Sequence, residues 1–258
     1  MRVTLLGCGG SQGVPNSAGQ WGQCDPADPR NRRRRPSVLV ETETPEGRQP
    51  RTILIDTGPD LREQLLATGL HSIDAVLYTH AHADHLHGID DLRPISNLMG
   101  RPIPAWGTNA VIDQIARRFG YAIEEKVGSF YRPTLLPHRF EGPFEAAGIT
   151  IRPFVQDHGF TTTTGFRIGD FGYSTDVVNL DEAAFAVLDG VALWIVDCVR
   201  LDPHPTHSHL ARTLEWIGRL SPRRAVLTHM DASLDYAMLA KQLPPGVEPG
   251  QDGLVLEL

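Results

Sequence analysis

The segment Thr79-His80-Ala81-His82-Ala83-Asp84-His85 carries four potential metal ligands within six residues. Alternate side chains on extended backbone share a side, so His80 and His82 can aim at one point. Asp84 and His85 are adjacent and can turn toward a second point as a helix begins. Ala81 and Ala83 are small enough for the loop to fold closely. Neutral imidazoles with a carboxylate suit zinc, manganese or iron, and little else uses these residue types at this density. One short cluster cannot complete two metal shells. Three further candidates each follow a β-rich run: His158 in Val155-Gln156-Asp157-His158-Gly159, Asp176 in Tyr173-Ser174-Thr175-Asp176, and His229 in Ala225-Val226-Leu227-Thr228-His229.

These residues need strands to hold them, and the pattern supplies strands. Alternation and β-branched content predict strands at 2–6, 37–42, 52–56, 75–79, 149–155, 164–168, 171–174, 193–197 and 225–228. Turn chemistry at Thr44-Pro45-Glu46-Gly47 and at Gly169-Asp170 predicts two hairpins. Helices are expected at 59–67, 108–119, 208–219 and 234–241. Ile112, Ile115, Ala116 and Phe119 share one face of the second. Strands then helices, twice over, suit two mixed sheets packed face to face with helices outside. The chain reads as one domain over residues 1–258.

Composition bounds the function. Charged residues make up 21% and hydrophobic residues 41%, ordinary for a globular chain. The net charge of −7 argues against a protein whose main task is gripping nucleic acid. No apolar run reaches the ~18 residues of a membrane span, and residues 1–10 lack a secretory pattern. Cys8, Cys24 and Cys198 are too few and too scattered for a disulfide framework, so the expected compartment is the cytoplasm.

With the ligands in view, the chain resembles the metallo-β-lactamase superfamily. The carrying motifs are Leu54-Ile55-Asp56-Thr57-Gly58, the histidine loop, Asp157-His158-Gly159, Ser174-Thr175-Asp176 and Leu227-Thr228-His229, in that family's order. The resemblance implies a four-layer αββα sandwich and two divalent metal ions, zinc or manganese with iron as an option. It implies that His80, His82 and His158 hold one ion. Asp84, His85 and His229 would hold the other, and Asp176 would bridge them. Asp84 also counts among the catalytic residues. Asp56 would brace the histidine loop.

Leu6-Gly7-Cys8-Gly9-Gly10-Ser11-Gln12-Gly13-Val14-Pro15, the arginine-rich approach to Ser37, and Pro205-Thr206-His207 narrow the resemblance. They are similar to the branch containing the phosphoribosyl cyclic phosphate phosphodiesterase of phosphonate breakdown. That branch and the related tRNA 3′-end-processing ribonucleases imply a histidine that assists phosphodiester cleavage. His207 matches it, with His209 as a substitute. The branch also implies a homodimer. Its phosphonate-pathway member carries a cysteine-rich structural zinc site, whereas Trp21-Gly22-Gln23-Cys24-Asp25-Pro26 has one cysteine here, so that extra zinc is not expected.

The expected chemistry is hydrolysis of a small phosphodiester, a cyclic phosphate or nucleotide-like ester. Two metals would share a hydroxide that attacks phosphorus, and His207 would protonate the leaving oxygen. Near a helix N-terminus, His207 needs a carboxylate or a substrate anion to hold its proton. The glycine-rich loop at 7–15 reads equally as a phosphate contact or as a tight turn. Arg30, Arg32, Arg33, Arg34 and Arg35 read as a solvated face or structural ion pairs, with phosphate recruitment as the alternative. His87 and His138 are expected to be structural. His204 is a bystander or a neighbour of His207, and Asp157 could support His158. The competing readings are an RNA-processing nuclease, a thioester or lactone hydrolase, and a metal-binding scaffold without activity.

Overall fold

In a computed structural model describing residues 1–44, 47, 50–124 and 132–258, the chain forms two seven-stranded sheets. The first contains β1 (Arg2–Gly7), β2 (Ser37–Thr42), β3 (Arg51–Ile55), β4 (Ala75–Leu77), β5 (Ile103–Gly107) and β6 (Leu135–Arg139), with β14 (Leu254–Glu257) beside β1. The second runs from β7 (Phe144–Ala146) through β8 (Ile149–Asp157), β9 (Thr162–Ile168), β10 (Phe171–Ser174), β11 (Leu193–Asp197) and β12 (Arg224–Thr228) to β13 (Val247–Pro249). Each sheet is part antiparallel and part parallel, β3 to β6 and β10 to β13 being the parallel runs.

The side-chain period of two builds the layers. Val3 and Leu5, Val38 and Val40, Ile53 and Ile55, and Ala75 and Leu77 turn inward. They meet Ile151, Phe166, Ile168, Phe171 and Tyr173 of the second sheet. The residues between them, Leu39, Leu54 and Val76, turn outward. There they meet Leu61 and Leu65 of α1 (Leu61–Thr68), Ile95 of α3 (Arg93–Met99) and Val111, Ile112 and Ile115 of α4 (Asn109–Ile123). On the far side, α5 (Glu182–Leu188), α6 (Leu210–Leu220) and α7 (Tyr236–Gln242) contribute Phe185, Leu188, Trp216, Ile217 and Leu239 to the core. Strands buried on both faces read as continuous apolar runs, as 193–197 does.

The four-layer αββα sandwich expected from the sequence is present. Several boundaries differ. The strand expected over 75–79 pairs only through Leu77, and Tyr78 and Thr79 already belong to the site loop. The second expected helix extends past 119 to Ile123, across an irregular Phe119 (φ −128°, ψ 32°). The helix expected from 208 starts at Leu210, because His209 is extended at its N-cap. β5 and β6 escape sequence reading because Pro104 and Pro137 interrupt the strand pattern. Of the turn expected at Thr44-Pro45-Glu46-Gly47, Pro45 and Glu46 lie outside the described residues. Among the described residues, no helix is long and apolar enough to cross a membrane.

Candidate metal centre

The site residues leave the sheets at one rim, beyond the C-terminal ends of β3, β4, β8, β10, β11 and β12. Asp56, Asp176 and His229, each just past a strand, have positive φ (61°, 54° and 58°). Non-glycine residues are seldom found there, and such local strain persists only where surrounding contacts hold it. It turns each chain sharply out of its strand and toward the others. Gly58 lets the histidine loop lie close, since a Cβ at Gly58 would sit 2.3 Å from the Asp84 carbonyl oxygen.

Two ligand groups result. One nitrogen or oxygen from each of His80, His82, His158 and Asp176 lies within 4.8 Å of the others. The same holds for Asp84, His85, Asp176 and His229, so Asp176 belongs to both. The grouping expected from the resemblance is thus assembled from segments as distant along the chain as His80 and His229. A third group adds Asp197 and His207 to His229.

Neighbouring hydrogen bonds set the imidazole tautomers. His85 Nδ1 donates to Asp56 Oδ2 at 2.7 Å. Thr79 Oγ1 donates to Asp56 Oδ2, so it accepts from His80 Nδ1 at 3.0 Å. His158 Nδ1 donates to the Thr206 carbonyl at 2.6 Å. Each ring then turns the lone pair of Nε2 into the site, the usual arrangement for a ligating histidine. His80 Nε2 and His85 Nε2 are buried and lack hydrogen-bond partners, although His85 Nε2 lies 3.0 Å from Asp176 Oδ2. Buried nitrogens left bare in this way are costly unless something coordinates them.

The charge balance points to cations as well. Asp56, Asp84, Asp176 and Asp197 are all buried and converge here. Burial opposes the charged form of Asp84 and of Asp176, yet the surrounding histidines hold both carboxyls well below their usual range. Burial alone pushes Asp56 up, against the pull of His85. Burial works against a charged His229, but Asp176, Asp84 and Asp197 outweigh it and its pKa is pushed up to about 9. His85 is raised by the same balance of burial against Asp176, Asp84 and Asp56. Burial instead lowers His80 and His158. Without a metal the carboxylate-rich half must borrow protons from its histidines. Divalent ions fit this donor set and supply the missing charge.

His207 stands at the mouth. Its Nδ1 is 3.3 Å from Asp197 Oδ2, its Nε2 is 3.9 Å from Asp176 Oδ1, and its ring stacks on His229 at 4.7 Å. His209 sits instead at the α6 N-cap with no side-chain cap bond. Sequence reading passed over Asp197. Oδ2 of that carboxylate also accepts from the backbone of Val177 and Ser208, while Oδ1 lies bare beside His229 Nδ1 at 3.8 Å. One signal could have found it: Asp197 ends the apolar run 193–197 just as the other site residues follow theirs.

The remaining candidates are structural. His138 stacks on Trp106, exposed His87 meets the Phe119 ring edge, and Asp157 Oδ1 accepts from Gly159 N to shape the turn after His158. His204 lies 5.0 Å from the His207 ring and bonds Thr206 N. In the basic run, Arg30 pairs with Asp28, Arg34 with Asp252 and Arg35 with Asp60. Arg33 is buried and donates to the Asp231 and Leu234 carbonyls and to Asn31. Four of the five arginines thus hold the N-terminal loop in place. In the glycine-rich loop, the Gly13 amide bonds the Gly10 carbonyl in a turn, while the amides of Gly9, Gly10 and Val14 bond the carbonyls of Arg34, Met230 and Arg33.

Comparison with known proteins agrees with this geometry. Residues 51–230 match the family described as the beta-lactamase superfamily domain. A crystal structure of a diphosphatase from the PhnP family superposes with a TM-score of 0.89 at 34% identity, covering 100% of this chain and 97% of that one. An octanoyltransferase of Porphyromonas gingivalis is 32% identical over 98% of this chain. This chain spans about half of that protein, 51% of its length. A ribonuclease Z of Mycobacterium bovis is 29% identical over 67% of this chain and 60% of its own. Sandwich, rim and ligand groups, together with these matches, establish that the chain belongs to the beta-lactamase superfamily, in its PhnP-like branch, with the fold of a metal-dependent hydrolase.

Proposed function

We propose that the protein is a dinuclear metal-dependent phosphodiesterase acting on a small cyclic phosphate or nucleotide-like phosphodiester. The observation that carries this reading is His207, braced by the buried Asp197 and facing Asp176 across the two ligand groups. His80, His82 and His158 would hold one ion and Asp84, His85 and His229 the other, with Asp176 shared. Bound divalent metals would neutralise phosphate oxygens and lower the pKa of a water toward ~7.

The chain's own residues supply the rest. Asp56 and Thr79 hold His85 and His80 in their ligating tautomers, and the Thr206 carbonyl does so for His158. Water adds to phosphorus and gives up its proton to solvent, the bond to the leaving oxygen breaks, and that oxygen takes a proton from His207 Nε2, which solvent then restores. Asp197 orients the ring and balances its positive charge before the transfer. The ribonuclease Z relatives suggest RNA as a second substrate class. The net charge of −7 and an arginine run largely engaged in structural contacts favour the small ester.

The test is hydrolysis of bis(p-nitrophenyl) phosphate by protein loaded with manganese or zinc, beside His82→Ala. Metal-dependent turnover that the variant loses is the expected result. Absence of turnover with both metals bound, alongside cleavage of a thioester or lactone, would replace the phosphodiesterase reading.

A further inference from the structure

A cavity of about 670 Å³ opens beside the metal centre and shares Ser11 and His207 with the smaller cleft over the ligands. Its lining includes the uncharged amides of Gln12, Asn16, Gln20 and Gln23. Asn16 Oδ1 accepts from the backbone of Ala18 and Gln20, which makes Asn16 Nδ2 the donor. Asn16 Nδ2 donates to Gln20 Oε1 at 2.8 Å and to Gln12 Oε1 at 3.4 Å. The NH2 groups of Gln12 and Gln20 are therefore left as donors for a ligand. Asp231 also lines the cavity and offers a carboxylate whose Oδ1 receives the amide and hydroxyl of Ser233. Among the described residues, no Lys or Arg lines this cavity.

Neutral amide donors and a carboxylate acceptor in one cavity suit a group that both gives and takes hydrogen bonds, which is a hydroxyl. A phosphate only accepts, prefers a guanidinium or ammonium, and is repelled by Asp231. Resting on the phosphodiesterase reading, we propose that this cavity receives the leaving arm of the substrate and selects an uncharged, hydroxyl-bearing arm, such as an unphosphorylated ribose, against one ending in a second phosphate. His207 lines the same cavity, so the oxygen that departs with this arm leaves beside the proton donor.

The experiment compares uridine 2′,3′-cyclic phosphate with its 5′-phosphorylated form on the metal-loaded protein, with bis(p-nitrophenyl) phosphate as reference. The expected kcat/KM favours the 5′-hydroxyl substrate by about 100-fold, the scale of a like-charge clash. Exposed Gln20→Arg is expected to raise turnover of the phosphorylated substrate by about tenfold. Titration calorimetry with uridine 3′-phosphate and uridine 3′,5′-bisphosphate should rank the two arms in the same order without turnover. Equal or better handling of the phosphorylated arm overturns the inference and leaves the phosphodiesterase intact. So does cleavage of the reference ester alone. If none of the three esters is cleaved, the phosphodiesterase reading falls and takes the inference with it.

Discussion

The two halves of the candidate metal centre each take two residues from the histidine loop yet differ in kind. The half formed by His80, His82 and His158 contains only imidazoles besides the shared Asp176, and His82 is exposed. The half formed by Asp84, His85 and His229 is buried throughout, with Asp56 and Asp197 behind it. A divalent ion in the second half meets more negative charge and less competing water. The difference teaches that one histidine loop can contribute to two sites of unlike charge and exposure, and on the dinuclear reading the buried site would retain its ion more firmly.

Asp176 is the single residue common to both halves, so its loss should have the largest effect. Asp176→Ala is expected to strip both ions and reduce turnover by at least ~10³-fold. Elemental analysis showing one ion still fully bound would break the picture of a shared bridge. His207→Ala should lower kcat by about 10²- to 10⁴-fold with metal content unchanged, since the residue sits outside both ligand groups. Its loss should be smaller for an ester with a good leaving group such as p-nitrophenolate, which barely needs a proton. Equal losses on good and poor leaving groups would deny the donor role.

Asp56→Asn probes the buried half from behind. It weakens the bond to His85 Nδ1 and should reduce metal affinity or activity about 10- to 100-fold. His82→Ala sharpens the contrast directly. It should retain close to one ion per chain, while His85→Ala retains less under the same chelator titration. The reverse order would invert the comparison. Gly58→Ala forces a methyl group against the Asp84 carbonyl and is expected to cost about 1–3 kcal/mol in a denaturant melt. An unchanged midpoint would mean that the loop has room to shift.

Much of this was legible from residue types alone. His80, His82, Asp84, His85, His158, Asp176 and His229 all stand where a strand or its following loop ends, and all seven meet in the two groups. Five strands, β5, β6, β7, β13 and β14, were not legible: prolines break the local pattern in β5, β6 and β13, and β7, β13 and β14 are only three or four residues long. Asp197 was missed because its meaning depends on His207, ten residues on, although its place at the end of an apolar strand matches that of the other site residues.

The sequence by itself carried the candidate donor residues and the strand faces, because donor identity is a property of side chains and burial follows the strand period of two; the layered sandwich came from the resemblance of the motifs, since periodicity alone suits other α/β arrangements. Only the tertiary structure decided that His207, and not His209, lies against Asp197, which tautomers the imidazoles adopt and where the arginine run is engaged. Each of these turns on an atom brought in from elsewhere in the chain: Asp197 against His207, Asp56 under His85, Asp252 beside Arg34 across 218 residues. A hydrogen bond or ion pair acts over about 3 Å. Its partners are therefore fixed by how the sheets stack, and spacing along the chain does not reveal them.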